Sequence, residues 1–196
     1  RLGLTMKSSK ALARKILCGL LAAGVVGVSG SALAGTASYI NQGSEANVNV
    51  IGKHDVGIFA SGDNTISFNG ESINFDITPD KADMNNTGVD ASVASNGRAI
   101  VNLGKKDVTK NIDIHVLDNS GNKNLTALGM LAYGYPNYNG GLINVNGKNL
   151  NLKVESTDSF AYGIIAQNTT TDAKDYKRAE ININTDNTYI EVKGSK

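Results

Sequence analysis

"INVNGKNLNLKV", residues 143–154, carries an apolar side chain at every second position on either side of one break, with Asn and Lys in the gaps. "ISFNGESINFDI", residues 66–77, writes almost the same line. Successive side chains of a β-strand point to opposite faces, so this alternation gives one apolar and one polar face. Ile73, Phe75 and Ile77 share a face against Asn74 and Asp76, and Leu150, Leu152 and Val154 share one against Asn151 and Lys153. "IDIHV", 112–116, divides in the same way. Period-two patterning rich in β-branched residues predicts half-buried strands, and residues 35–196 hold no long stretch of helical period.

The repetition extends beyond the quoted phrase. Three elements recur in fixed order. The first is Gly-apolar-x-Ala: "GIFA" 57–60, "GVDA" 88–91, "GMLA" 129–132 and "GIIA" 163–166. The second is an alternating strand: "ISFNG" 66–70, "IVNLG" 100–104, "INVNG" 143–147 and "ININT" 181–185. The third is another: "INFDI" 73–77, "IDIHV" 112–116, "LNLKV" 150–154 and "YIEV" 189–192, with an extra copy, "ANVNV" 46–50, ahead of the first unit. The units lie roughly 31 to 41 residues apart, a period typical of solenoids.

Hairpins joining equivalent strands would place Asn-Gly turns between like elements. Here Asn69-Gly70 and Asn146-Gly147 join unlike elements, and each element has its counterpart one period away. That is the pattern of a coil. The segments between first and second elements vary most, from "SGDNT" 61–65 to "YGYPNYNGGL" 133–142 and "QNTTTDAKDYKRAE" 167–180, as expected of a corner that projects from a stack. The predicted fold is all-β: a right-handed parallel β-helix of about four coils with three short strands per coil. Apolar letters fill the interior and stacked Asn residues form ladders outside. Ile73, Ile112, Leu150 and Ile190 are expected in one interior row, with Phe75, Ile114, Leu152 and Val192 in the next.

Residues 1–34 have a different composition. Five basic residues (Arg1, Lys7, Lys10, Arg14, Lys15) and no acidic ones precede the apolar "ILCGLLAAGVVGVSG", 16–30, and "SALA", 31–34, then closes in the small-x-small pattern Ala32-Leu33-Ala34. This layout predicts a cleavable signal peptide, cut after Ala34, with Met6 as the start. The apolar run is short of the roughly 20 residues that span a bilayer. Cys18, the single cysteine, falls inside it, so the exported part is expected to hold together without disulfides. The remaining residues balance 14 basic against 18 acidic side chains with no basic cluster, a poor match for nucleic acid.

A signal peptide, a Cys-free body, and Gly-apolar-x-Ala followed by Asn-rich strands resemble the beginning of a type V autotransporter passenger, over roughly residues 35–196. The resemblance implies a β-helical passenger carried to the bacterial cell surface. It implies two secretion partners: inner-membrane machinery acting on the signal peptide and an outer-membrane β-barrel translocator. No barrel pattern of amphipathic strands with aromatic girdles occurs in this sequence. A chain that stops on the strand "YIEVKGSK" is expected to be a piece of a longer passenger.

Chemistry-bearing residues are sparse. Asp76 and Asp113 are expected to stack one coil apart, near Lys153, on a solvated outer face. Polysaccharide lyases and hydrolases on β-helices need such carboxylates clustered. "DNSGNKN" 118–124 alternates polar side chains like a calcium loop but places its Gly wrongly for one. His54 and His115 have no partners at metal-ligand spacing. Neither a catalytic site, a metal site nor a cofactor is expected. The aromatic corner "AYGYPNYNGG" 132–141 is singled out: Tyr133, Tyr135 and Tyr138 form a candidate contact patch for a host-surface protein or glycan, or else a local cover over the coil. The expected function is a non-catalytic structural or adhesive passenger segment. Alternatives are a pectate-lyase-like enzyme and a secreted matrix or S-layer protein.

Overall fold

A computed structural model describes residues 47–80, 85–93, 97–169 and 176–195. The signal-peptide segment and its cleavage site at Ala34 lie outside the described residues. Among the described residues there are eleven strands: β1 (Asn47–Lys53), β2 (Val56–Ser61), β3 (Thr65–Phe68), β4 (Ser72–Thr78), β5 (Asn86–Val93), β6 (Ile100–Leu103), β7 (Asn111–Asp118), β8 (Thr126–Gly134), β9 (Leu142–Ser156), β10 (Phe160–Asn168) and β11 (Glu180–Lys193). All pairings are parallel, each strand lying on its counterpart one repeat away. The four repeat units, each called a coil below, stack into a β-solenoid of about three turns, with no helix among the described residues.

One wall is the sheet β10-β8-β5-β2, built from the Gly-apolar-x-Ala elements. The other runs β1-β4-β7-β9-β6-β3, with β11 also on β9. Three strands per coil hold for the first two coils. In the later two, the second and third elements run on as the single long strands β9 and β11. The reason lies at the corner. The second coil turns through "GKKDVTK", with Gly104 at φ 80° and Asp107 at φ 63°, whereas "NGK" 146–148 stays extended enough to keep the ladder.

Interior columns run through the stack in register. Ile58, Val89, Met130 and Ile164 form one, and Phe75, Ile114, Leu152 and Ile190 another. Phe68 and Phe75 meet edge to face inside the first coil, 6.0 Å apart at 76°. Each fully buried aliphatic side chain contributes about 1.5–3 kcal/mol. The fourth unit corrects the expected rows by two residues. Thr188 continues the Ile73–Ile112–Leu150 column, Ile190 the Phe75 column and Val192 the Ile77–Val116–Val154 column. The long uninterrupted pairing of β11 on β9 fixes that register.

The recurrent glycine of the first element is set by space. A Cβ on Gly57 would lie 2.6 Å from the Gly88 carbonyl oxygen, and one on Gly88 would lie 2.7 Å from that of Gly129. At Gly88, the methyls of Ile114 and Val116 on the opposite wall also stand 3.0 Å from that position. Glycine therefore lets the two walls close on each other and the coils stack along these strands.

Candidate functional site: the tyrosine corner, the buried Asp90 and the outer ladders

Asp90 occupies the "x" of Gly-apolar-x-Ala. In the column Phe59–Asp90–Leu131–Ile165, every other member is apolar. Two positions on, Ser61, Ser92, Tyr133 and Gln167 align. Asp90 and Ser92 are both buried, and the Ser92 hydroxyl donates to Asp90 Oδ1 while Oδ2 has no hydrogen-bond partner. Burial pushes the Asp90 carboxyl up to about 7, against the smaller opposing effect of the Ser92 bond. Water no longer solvates the carboxylate there, and one hydroxyl is too little to replace it.

The predicted tyrosines divide. Tyr133 and Tyr135 pair edge to face, 4.9 Å apart at 82°. The Tyr135 amide donates to the Val93 carbonyl at 3.1 Å, bringing the corner of the third coil onto the second. Burial first, then the negative charge of Asp90 and the neighbouring Tyr133, push the Tyr135 phenol up to about 12. Tyr138 goes elsewhere: its amide closes a turn on the Tyr135 carbonyl, 3.1 Å, and its ring packs on the interior core. The corner thus brings two of the three tyrosines together beside Asp90. Asp90 itself was signalled in the sequence, as a charged letter where the other three units have Phe59, Leu131 and Ile165.

Below this corner, Arg98 ties coils together. Its Nε donates to the Gly140 carbonyl at 3.2 Å and its Nη2 to the Arg178 carbonyl at 2.9 Å, with Glu180 Oε2 at 3.5 Å. Its own amide donates to Asp63 Oδ1 at 3.3 Å. The planar five-donor guanidinium suits a position that must reach several acceptors at once.

On the opposite wall, the outward column is Ile51–Asp76–His115–Lys153–Glu191. Asp76 and Asp113 do not stack. Asp113 aligns with Asn74 and Asn151, because the two aspartates sit at different positions of their strands. His115 lies between two carboxylates instead, with Nδ1 3.0 Å from Asp76 Oδ1 and Nε2 3.3 Å from Glu155 Oε2. Lys153 stands 2.9 Å from Glu155 and Lys193 3.6 Å. The hydrogen bond from Lys153, helped by His115 and the lysine charges, holds the Glu155 carboxyl below its usual value.

Alongside runs an amide ladder. Asn144 Nδ2 donates to Asn102 Oδ1 at 2.9 Å and Asn182 Nδ2 to Asn144 Oδ1 at 3.1 Å. Asn149 donates to Asn111 at 2.9 Å and Asn187 to Asn149 at 3.0 Å.

The remaining sequence candidates resolve into turns. His54 is buried at the β1–β2 corner, where its carbonyl accepts from Asn86 Nδ2 at 2.7 Å. In "DNSGNKN", Asp118, Ser120 and Asn122 each accept the backbone N–H two residues on, at 3.0, 3.3 and 3.1 Å. Those oxygens serve the chain's own turns, the usual occupation of Asx and Ser side chains. Among the described residues, no group of three or more His, Cys, Asp and Glu side chains is placed to hold a metal ion. Comparison with protein-family models, curated proteins and solved structures finds no match for this chain.

Proposed function

We propose that the chain is a surface-exposed, non-catalytic passenger segment of a bacterial autotransporter-like protein, serving as a stalk and as an adhesive surface. The observation that carries this reading is the division of labour around the coil. Outward strand positions are occupied by side-chain ladders running from coil to coil, which suits a stiff rod. The variable corner presents Tyr133 and Tyr135 together on a backbone anchored by Arg98. Rigid aromatic side chains on an anchored loop suit contact with a host protein or glycan, because little conformational entropy is lost on binding. Export through the inner membrane and a barrel translocator belongs to the same proposal.

The test is adhesion of the secreted chain to host cells and to immobilised glycans. The Tyr133→Ser/Tyr135→Ser double variant is expected to lose binding while keeping its β-rich circular dichroism. Unchanged binding by the folded variant sinks the adhesive part.

One observation favours the enzyme alternative: Asp90, ionising near neutrality beside Ser92, resembles a tuned general acid. The carboxyl is only 1% exposed, so a polysaccharide has no route to it in this conformation. Depolymerisation of polygalacturonate that disappears in Asp90→Asn would overturn the non-catalytic reading.

A further inference from the structure

Asn-Gly occurs four times in the chain, at 69–70, 96–97, 139–140 and 146–147. In this dipeptide the glycine nitrogen can attack the side-chain amide before it, because glycine has no Cβ to crowd the approach. Asn96 lies outside the described residues, and the fold treats the other three differently.

Asn146 and Gly147 sit inside β9, paired in parallel with Asn184 and Thr185 of β11, and Asn146 Oδ1 accepts from Asn184 Nδ2 at 3.3 Å. Asn139 is held at both ends of its amide. Its Oδ1 accepts from the Lys177 N–H at 2.8 Å, and its Nδ2 donates to the Gly97 carbonyl at 3.3 Å. The nitrogen that would attack it is engaged as well, since the Gly140 N–H donates to the Lys177 carbonyl at 2.7 Å. Asn69 has none of these restraints. It is exposed, in the corner between β3 and β4 and outside both strands. Among the described residues, no hydrogen bond reaches its amide group or the Gly70 N–H. The Gly70 carbonyl, by contrast, is fixed by the Thr109 hydroxyl at 2.7 Å.

We propose that Asn69 is a self-modification site, where the chain converts its own amide to a carboxylate with water as the co-reactant. The Gly70 nitrogen gives its proton to solvent base and bonds to Asn69 Cγ. The Cγ–Nδ2 bond breaks, and Nδ2 leaves as ammonia, which closes a cyclic imide. Water then opens either C–N bond of that imide. One opening leaves an aspartyl residue, and the other an isoaspartyl residue whose main chain runs through the former side chain. No atom changes oxidation state. Asn139 and Asn146 reach the attack geometry only after local opening of the bonds that hold them, so their reaction is correspondingly rare. The conversion writes a negative charge onto an outer corner of the first coil. Its isoaspartyl form also lengthens the main chain between two anchors to the second coil. These are the Gly104 N–H on the Phe68 carbonyl and the Lys110 N–H on the Glu71 carbonyl, both at 2.7 Å. The inference concerns a reaction of the chain itself and stands independently of the adhesive reading.

The test follows the folded chain at mildly alkaline pH, where the amide nitrogen loses its proton more readily, with peptide mapping by mass spectrometry at each Asn-Gly. Asn69 is expected to convert about tenfold or more faster than Asn139 and Asn146, giving both aspartyl and isoaspartyl products. In urea the three should convert at similar rates, because the shared dipeptide then decides. Asn69→Gln, whose longer side chain closes the ring far more slowly, should remove the early acidic species on ion exchange with circular dichroism unchanged. Four results overturn the proposal: Asn69 converting no faster than the other two in the folded chain, the same ranking persisting in urea, aspartate forming without isoaspartate, or the early acidic species surviving in Asn69→Gln.

Discussion

The middle coils and the last coil are built from the same letters and differ in what those letters experience. Ile114 is buried, between Phe75 of the coil before and Leu152 of the coil after. Ile190 occupies the same column, has Leu152 on one side, and is 43% exposed. The same holds for Asn144, which both donates and accepts along the ladder, against Asn182, whose bond is to one side. In a solenoid, a residue's worth is set by the coils before and after it as much as by its own identity. Stability here is accordingly a sum over coil–coil interfaces, and a coil at an end has one fewer.

Substitutions at matched positions test that contrast, and the largest effect belongs to the interior row. Ile114→Asp would bury an unpaired charge between two coils and is expected to cost about 5 kcal/mol, enough to unfold neighbouring coils together. Ile190→Asp leaves its carboxylate partly in water and is expected to cost about 1 kcal/mol or less. Urea melts followed by circular dichroism compare them, and equal losses would break the distinction.

Asp90 offers the next effect, and it depends on pH. Its folded-state carboxyl titrates near 7 against 3.8 ordinarily, so between those values the folded chain holds a proton that the unfolded chain has released. Stability must therefore fall as pH rises from about 4 to about 7, then level off, by at most about 4 kcal/mol for this group. Asp90→Asn removes that slope, so the variant should gain on the wild type as pH rises. Phe59, Leu131 and Ile165 at the matched positions contribute no such slope. A wild-type stability curve parallel to that of the variant across this range would show that Asp90 is not the group responsible.

Gly88→Ala is expected to cost about 2–3 kcal/mol, because its Cβ meets a rigid carbonyl as well as the opposite wall. At Gly163 the nearest atoms are methyls of Val192 and Ile190, 3.0 and 3.3 Å away on the half-open coil, and about 1 kcal/mol is expected. Thermal melts of the two alanine variants rank them. If Gly163→Ala were the worse, the last coil would be more tightly held than its exposure implies.

The smallest effect concerns the ladder. Asn144→Leu removes a donor and an acceptor from half-buried bonds and should cost about 1 kcal/mol, against about 0.5 kcal/mol for Asn182→Leu. Hydrogen exchange of the β9 and β11 amides would sharpen the comparison by showing how far each loss spreads.

The amino-acid sequence by itself determined the kind of fold. Alternation named the strands, the spacing of like elements demanded parallel stacking, and variable corner lengths placed the loops on one edge. These are local or periodic properties, and a chain whose contacts all lie one period away displays them openly. Asp90 left only a faint signal there, an acidic letter where the matched units are apolar, and its burial came from the fold. Only the tertiary structure decided the register of the fourth unit, where continuous pairing of β11 on β9 overrode the alignment of "YIEV" with "LNLKV". It alone separated Asp76 from Asp113 and set His115 between Asp76 and Glu155, because a strand's register fixes which outward residues become neighbours. It also turned Tyr138 inward while pairing Tyr133 with Tyr135. Alternation states which face a strand side chain takes, but the path of a corner depends on what it packs against, and that is settled by coils some forty residues away in the chain.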